Sequence, residues 1–97
     1  MQTVSRIRED VVLEKVDGIY VLVALRSAWK DCPFAVPTIP VYAEIWNLLK
    51  AGASEQEVVS HLQNARGFTM ERSEIIYGKF LESARKYHYL KEEEDGR

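Results

Sequence analysis

The stretch that decides the fold is Val11-Val12-Leu13-Glu14-Lys15-Val16-Asp17-Gly18-Ile19-Tyr20-Val21-Leu22-Val23. Two runs rich in β-branched residues flank the pair Asp17-Gly18. Because this pair alone separates the runs, and because Asp-Gly adopts the positive φ angles of a two-residue turn, the stretch predicts a β-hairpin. Residues 26–31 are predicted to form a loop, and a third strand is predicted from Phe34 to Thr38.

Two prolines, Pro33 and Pro37, bracket the middle of the third strand. Proline has no N–H to donate to a sheet ladder, so this strand is predicted to lie at an edge of the sheet. The two prolines have the same parity. Their missing donors therefore face one side, while Phe34 and Val36 direct their N–H and C=O groups to the other side. The sequence leaves open which of the two sides faces the hairpin.

Three amphipathic helices are predicted in the rest of the chain. The first begins at Pro40, carries a core tryptophan and ends at Gly52. The second begins at the capping box Ser54-Glu55-Gln56-Glu57. The third runs from about Met70 to about Tyr89. The whole pattern predicts an α+β fold of winged helix-turn-helix type, in which an N-terminal three-stranded antiparallel sheet precedes three helices.

The length of 97 residues predicts one domain. We expect a loose N-terminus at residues 1–9, a single folded domain at residues 10–90 and a charged tail at residues 91–97. Cys32 is the one cysteine of the chain, so an internal disulfide is excluded and a reducing, cytoplasmic location is favoured. No segment reaches the roughly 18 apolar residues that a membrane span needs.

The sequence contains no recognisable catalytic or metal-ligating pattern. Two histidines, His61 and His88, without clustered cysteines do not make a zinc site. No nucleophile has a recognisable base partner, and no glycine-rich loop precedes a helix. The net charge of −2 argues against nucleic acid as the main partner. We therefore predict a binding protein that is not an enzyme and that holds no metal or cofactor.

The third helix carries three neighbouring rows of side chains. The row predicted to pack on the core consists of Tyr77, Phe80, Leu81 and Ala84. The rim beside it consists of Ile76, Ser83 and Tyr87, and the cationic row beyond consists of Arg72, Lys79 and Lys86. From the pattern alone, the rim is more often the edge of a core and such a row is more often a solvated face. The alternative is a groove that takes apolar anchors and is bordered by positive charge.

Four blocks of sequence, taken in order, resemble the PqqD-like proteins, also called recognition elements of ribosomally synthesised, post-translationally modified peptides (RiPP recognition elements). The blocks are Gly18-Ile19-Tyr20-Val21-Leu22-Val23, then Ala43-Glu44-Ile45-Trp46-Asn47-Leu48-Leu49-Lys50-Ala51-Gly52, then Ser54-Glu55-Gln56-Glu57-Val58-Val59, and lastly Phe80-Leu81 leading to Tyr89-Leu90. The likeness spans about residues 6 to 90. Each block is common singly, so their order and spacing carry the resemblance.

The resemblance implies a non-catalytic peptide chaperone. Proteins of this type bind the leader segment of a precursor peptide and present it to a modifying enzyme, such as a radical S-adenosylmethionine enzyme. The leader adds to the third strand and lies against the third helix, with main-chain bonds giving affinity and side-chain pockets giving specificity. The peptide-binding residues that the resemblance implies here are Cys32, Phe34, Ala35, Val36, Arg72, Ile76, Lys79, Phe80, Ser83 and Tyr87.

The chain departs from the family pattern before the first helix. These proteins often have a Leu-Asn pair there, whereas this chain has Thr38-Ile39, so an asparagine cap is lost, with Thr38 or Pro40 as a partial replacement. Two other functions remain as alternatives: a DNA-binding winged-helix regulator, and a homodimeric adaptor that uses the free sheet edge. Residues 54–63 include Glu55 and Glu57 but no Lys or Arg, which disfavours DNA binding through the second helix.

Overall fold

The computed structural model describes residues 6–91. The elements are β1 (Val11–Val16), β2 (Ile19–Ala24), a short 3-10 helix (Arg26–Ala28), β3 (Ala35–Thr38), α1 (Pro40–Lys50), α2 (Glu55–Arg66) and α3 (Met70–Lys86). The prediction of an α+β fold is confirmed, since an antiparallel sheet in the order β1-β2-β3 precedes three helices. The segment predicted as a loop at residues 26–31 contains the 3-10 helix.

The hairpin forms at the predicted turn. Asp17 and Gly18 have φ angles of 52° and 82°, the positive values that a type I′ turn requires at both central positions. Val16 pairs with Ile19 across the turn. The strand order leaves β1 and β3 as the two edges of the sheet, so the edge position predicted for the proline-flanked strand is confirmed.

The inner face of the sheet packs on the helices. Leu22 and Ala24 of β2 are buried, and Trp46 of α1 is 1% exposed. The Trp46 ring meets the Tyr89 ring edge-on, with centroids 5.5 Å apart and planes at 84°. Trp46 is therefore a central core residue, as predicted, and it links α1 to the segment that follows α3.

The expectation of a loose N-terminus is wrong for residues 6–9, while residues 1–5 lie outside the described residues. Ile7 is fully buried and pairs with Leu90 in an isolated β-bridge. The Arg8 N–H donates to Tyr89 O at 2.9 Å, and the Lys91 N–H donates to Arg6 O at 2.8 Å. The burial of Ile7 and these main-chain bonds act together against the entropic cost of ordering this polar stretch. The predicted tail is described only at Lys91.

The third helix ends three residues before its predicted end. Tyr87 is its C-cap, and His88 follows with a left-handed φ of 63°. The His88 N–H donates to Arg85 O at 3.1 Å and the Tyr89 N–H donates to Ala84 O at 2.8 Å, the two bonds of a Schellman motif. Glycine usually holds this position, so His88 gave no signal of a stop.

Candidate functional site

An apolar groove lies between β3 and the C-terminal half of α3. It has a volume of about 190 Å³. The residues that line it are Leu22, Val36, Pro37, Thr38, Ile39, Tyr42, Phe80, Ser83, Ala84, Tyr87 and Tyr89. None of these carries a formal charge at neutral pH. The groove therefore suits apolar side chains with a few polar groups to orient them.

The walls of the groove come from three elements. Val36 of β3 pairs with Leu22 of β2, which places both side chains on the inner face of the sheet. On α3, Phe80, Ser83 and Tyr87 are spaced by three and four residues, so they share one face of the helix. The two walls are therefore a strand and a helix held apart by the core beneath them.

The third wall comes from α1. The Tyr42 ring lies 5.4 Å from the Phe80 ring, at an interplanar angle of 79°. Ile39 is the N-cap of α1 and makes no side-chain capping bond, while Pro40 supplies the first helical position. Ile39 is 53% exposed. An apolar residue thus takes the place of a polar cap, and its side chain borders the groove.

Tyr89 lies deep in the groove and is 2% exposed. Its hydroxyl has no hydrogen-bond partner among the described residues. Burial raises the pKa of Tyr89 to about 12, so the phenol is neutral at physiological pH. The Tyr87 ring packs 5.7 Å from the Tyr89 ring. The Schellman turn at His88 brings Tyr89 back to the groove, whereas Tyr87 faces the groove through its helical spacing from Phe80 and Ser83.

The hydrogen-bond pattern shows which side of β3 faces solvent. The Ala24 N–H donates to Phe34 O at 2.9 Å, and Val36 and Thr38 pair with β2 at the same parity. Main-chain groups alternate in direction along an antiparallel strand, so Ala35 and Pro37 direct theirs away from β2. We call this side of β3, with Ala35 and Pro37, the outer edge. The side of Pro37 that lacks a donor is thus the side open to a partner.

The three residues of the cationic row lie at different distances from the groove. Lys86 lies beside the groove, with its Nζ 5.7 Å from the centroid of the Tyr87 ring. Arg72 lies in the first turn of α3, with its guanidinium 5.2 Å from the Phe68 ring centroid. Lys79 is exposed and does not line the groove. Positive charge therefore borders the groove at Lys86.

Of the predicted site residues, Val36, Phe80, Ser83 and Tyr87 come together as lining residues of the groove. Ala35 lies on the outer edge beside it and is exposed. Ile76 does not line the groove but packs, half-buried, against the core. It belongs to the edge of the core, which is the alternative that the helical pattern favoured for this residue.

Cys32 and Phe34 precede β3, which begins at Ala35. Cys32 is 6% exposed, its N–H donates to Ala28 O at 2.8 Å, and its Sγ lies 3.4 Å from His88 O. Its N–H is therefore not available to an added strand, and contact of Cys32 with a peptide stays a prediction. Phe34 is 65% exposed, and its ring packs edge-on to Trp29 at 5.7 Å.

The residues that line the groove but were not predicted as site residues are seven: Leu22, Pro37, Thr38, Ile39, Tyr42, Ala84 and Tyr89. Tyr42 lies three and four residues before Ile45 and Trp46, a spacing typical of a core-facing stripe, so the helical pattern does not signal that it also lines the groove. A signal for Ile39 was present, since an apolar residue stands where a cap is expected. Tyr89 gave no signal, because the turn that directs it inward is made by a histidine.

Within residues 6–91, no group of three or more His, Cys, Asp or Glu side chains is arranged to hold a metal ion. Over the same residues, the helices are too short or too polar to cross a membrane.

Comparison with known proteins yields one solved structure of the same fold. It is TbiB1 in complex with the TbiA(beta) leader peptide, which superposes with a TM-score of 0.73. The match covers 93% of this chain and 99% of TbiB1, at 22% sequence identity. No family model and no curated protein matches the chain. At this identity the likeness establishes a shared fold, and TbiB1 was solved with a leader peptide bound.

Proposed function

We propose that this protein binds the leader segment of a ribosomal precursor peptide and presents it to a separate modifying enzyme. The observation that carries the proposal is the position of an open strand edge directly beside an apolar groove. The resemblance to the PqqD-like proteins and the shared fold with TbiB1 support it. The modifying enzyme would be of the radical S-adenosylmethionine type, or another that acts on the presented peptide.

The bound peptide adds to β3 as a fourth strand. Ala35 offers both an N–H and a C=O on the outer edge, and Pro37 offers a C=O. Alternate side chains of an added strand point to the same face, so every second residue of the peptide meets the groove near Tyr42 and Tyr87. Apolar anchors dominate the affinity, since exposed charge pairs contribute only about 0.2–1 kcal/mol each.

Lys86 favours a peptide with Asp or Glu near these anchors. It is exposed at the rim of the groove, beside Tyr87. A rim charge acts mainly on the rate of association and on the choice of partner. The proposal therefore assigns affinity to the apolar walls and selectivity to the rim.

The proposal includes no catalytic step. The lining residues of the groove include no Asp, Glu, His, Lys or Cys, so Ser83 has no ordinary general base beside it there. The buried Tyr89 is held protonated because burial raises its pKa. The protein would act in the cytoplasm, without a cofactor or a metal. A regulator that binds DNA through α2 is disfavoured because Glu55 and Glu57 occupy the first turn of that helix, where phosphates would approach.

The test places a bulky side chain in the groove. A displayed library of random peptides about 12 residues long, twice a typical strand, is first selected against the full chain. The tightest peptide is then titrated by calorimetry against Ser83→Trp and Glu82→Trp. Ser83 lines the groove, whereas Glu82 is its exposed neighbour on α3. Ser83→Trp should weaken binding by at least about tenfold, since it fills the site of the anchors.

Glu82→Trp should bind like the parent chain. A library that yields no binding peptide, or a peptide that binds Ser83→Trp as tightly as the parent, would contradict the proposed function. A gel shift with random duplex DNA serves as the companion measurement. Binding of duplex DNA at physiological salt would favour the regulator instead.

A further inference from the structure

The outer edge of β3 is unusually poor in hydrogen-bond donors. Ala35 and Pro37 are the residues of β3 that direct main-chain groups away from β2. Ala35 supplies one N–H and one C=O, while Pro37 supplies a C=O alone. This edge therefore has two acceptors and one donor, where an ordinary strand would have two of each.

The imbalance acts differently on two kinds of partner. A peptide strand with an N–H opposite each of these residues makes three of the four bonds that an ordinary edge would make. A second copy of β3, laid antiparallel with Ala35 opposite Pro37 of that copy, makes only two, because neither Ala35 C=O meets a donor. Open edges are templates for self-association, and prolines on them limit it.

We propose that Pro37 sets the main-chain specificity of this edge. It limits a bound peptide to three main-chain bonds instead of four, two of which the peptide donates from its own N–H groups to Ala35 O and Pro37 O, and it weakens pairing between two copies of the chain. The inference about the peptide rests on the proposed function, whereas the inference about self-pairing does not. The carbonyl of the peptide residue opposite Pro37 meets no N–H on β3 and accepts hydrogen bonds from water instead.

The test restores the missing donor. Pro37→Ala adds one N–H to the outer edge, and Pro40→Ala is the matched control, since Pro40 lies in the first turn of α1 and does not line the groove. With the library-selected peptide, Pro37→Ala should bind about two- to tenfold more tightly than the parent, the change expected for one hydrogen bond. Pro40→Ala should bind like the parent.

Two further measurements sharpen the result. Replacing the peptide's amides one at a time by esters removes single N–H groups, and two positions spaced by two should each lose affinity. In sedimentation experiments without peptide, Pro37→Ala should associate at a lower concentration than the parent and Pro40→Ala.

The outcomes separate the two proposals. If Pro37→Ala changes neither peptide affinity nor self-association while Ser83→Trp weakens binding as predicted, the role of Pro37 is overturned and the proposed function stands. If no peptide binds, the proposed function fails, and unchanged association of Pro37→Ala would overturn the remaining part of the inference. Equal gains from Pro37→Ala and Pro40→Ala would also overturn it, because the added donor would not be the cause.

Discussion

The two edge strands of the sheet differ in what they offer a partner. The Leu25 N–H donates to Asp10 O at 2.8 Å, so Val11, Leu13 and Lys15 of β1 direct their main-chain groups outward. That edge has three donors and three acceptors, of which Val11 O accepts from Lys50 Nζ at 3.4 Å. The outer edge of β3 has one donor and two acceptors. By main-chain groups alone, β1 is the better template for an added strand.

The side chains reverse this ranking. β1 carries Glu14 and Lys15 at its exposed end, and charges on an edge strand oppose addition of another strand. β3 lies beside the groove, to which it contributes Val36, Pro37 and Thr38. Under the proposed function, the apolar groove beside β3 supplies most of the affinity, while the main chain of the edge sets the hydrogen-bond pattern with which a partner pairs.

Next to β1, the N-terminal segment pairs with the segment that follows α3 through the bridge between Ile7 and Leu90. A substitution that removes the buried side chain of this segment has the largest expected effect on stability. Ile7, four residues before β1, is fully buried. Ile7→Ala should lower the free energy of unfolding by about 2–5 kcal/mol, because it leaves a cavity in the core. Ile19→Ala, at an exposed end of β2, is the control and should cost less than about 0.5 kcal/mol.

Chemical denaturation of both variants measures this difference. Peptide binding by folded Ile7→Ala should match the parent, since Ile7 does not line the groove. A loss of stability below about 1 kcal/mol would show that residues 6–9 are not part of the core. If Ile7→Ala binds the peptide more weakly than the parent under conditions where it is fully folded, the segment before β1 and the groove beside β3 are not independent.

The next prediction sets the two edges against each other. Ala35→Pro removes the outward N–H of β3, and Lys15→Pro removes an outward N–H of β1, in each case without removing a bond between strands of the sheet. Ala35→Pro should weaken peptide binding by about tenfold, through the lost bond and the crowding of the proline ring. Lys15→Pro should leave binding unchanged, as measured by calorimetry with the same peptide. The reverse order of effects would place the added strand on β1.

Much of the scaffold could be predicted from local signals in the sequence. The Asp17-Gly18 turn, the capping box at Ser54 and the left-handed Gly67 that ends α2 are each fixed by a few neighbouring residues. The edge position of β3 followed from its prolines. These features were predictable because their physical cause lies within a few residues of the feature itself.

The site was predicted only in part, because its walls come from distant segments. The helical spacing of Phe80, Ser83 and Tyr87 identified the face of α3, but the contribution of Tyr42 depends on how α1 crosses α3. Ile76 has nearly the same angular position as Ser83 and Tyr87, yet it lies one turn before Phe80 and outside the groove, whereas Lys79 lies beside Phe80 along the helix but about 100° further round it. Tyr89 depends on a left-handed turn at His88, which the sequence does not signal.

The smallest expected effect is a change with pH in the free energy of unfolding, and it arises next to β1 and not next to β3. Asp10, just before β1, accepts from Arg8 Nε at 2.9 Å, from Arg8 Nη2 at 3.0 Å and from Ser27 Oγ at 2.9 Å. These bonds, led by that of Arg8, lower the pKa of Asp10 from its ordinary 3.8 to about 2. A folded pKa below the unfolded one means that the bonds stabilise the fold above pH 4 and are lost as the pH falls towards 2.

Asp10→Asn should therefore cost about 0.2–1 kcal/mol of unfolding free energy at pH 6, the range for partly exposed pairs. At pH 2, close to its folded pKa, the parent carboxyl is itself about half protonated, so the gap between variant and parent should narrow. Urea denaturation at both values measures the change. Glu44→Gln is the comparison variant, because hydrogen bonds from Arg66 likewise lower the pKa of Glu44, which lies on α1. Its stability gap to the parent should also narrow on acidification. A gap that widens on acidification would contradict the assignment. The groove contains no carboxylate, so acid between pH 4 and 2 should act first on the side of β1 and only through unfolding on the outer edge of β3.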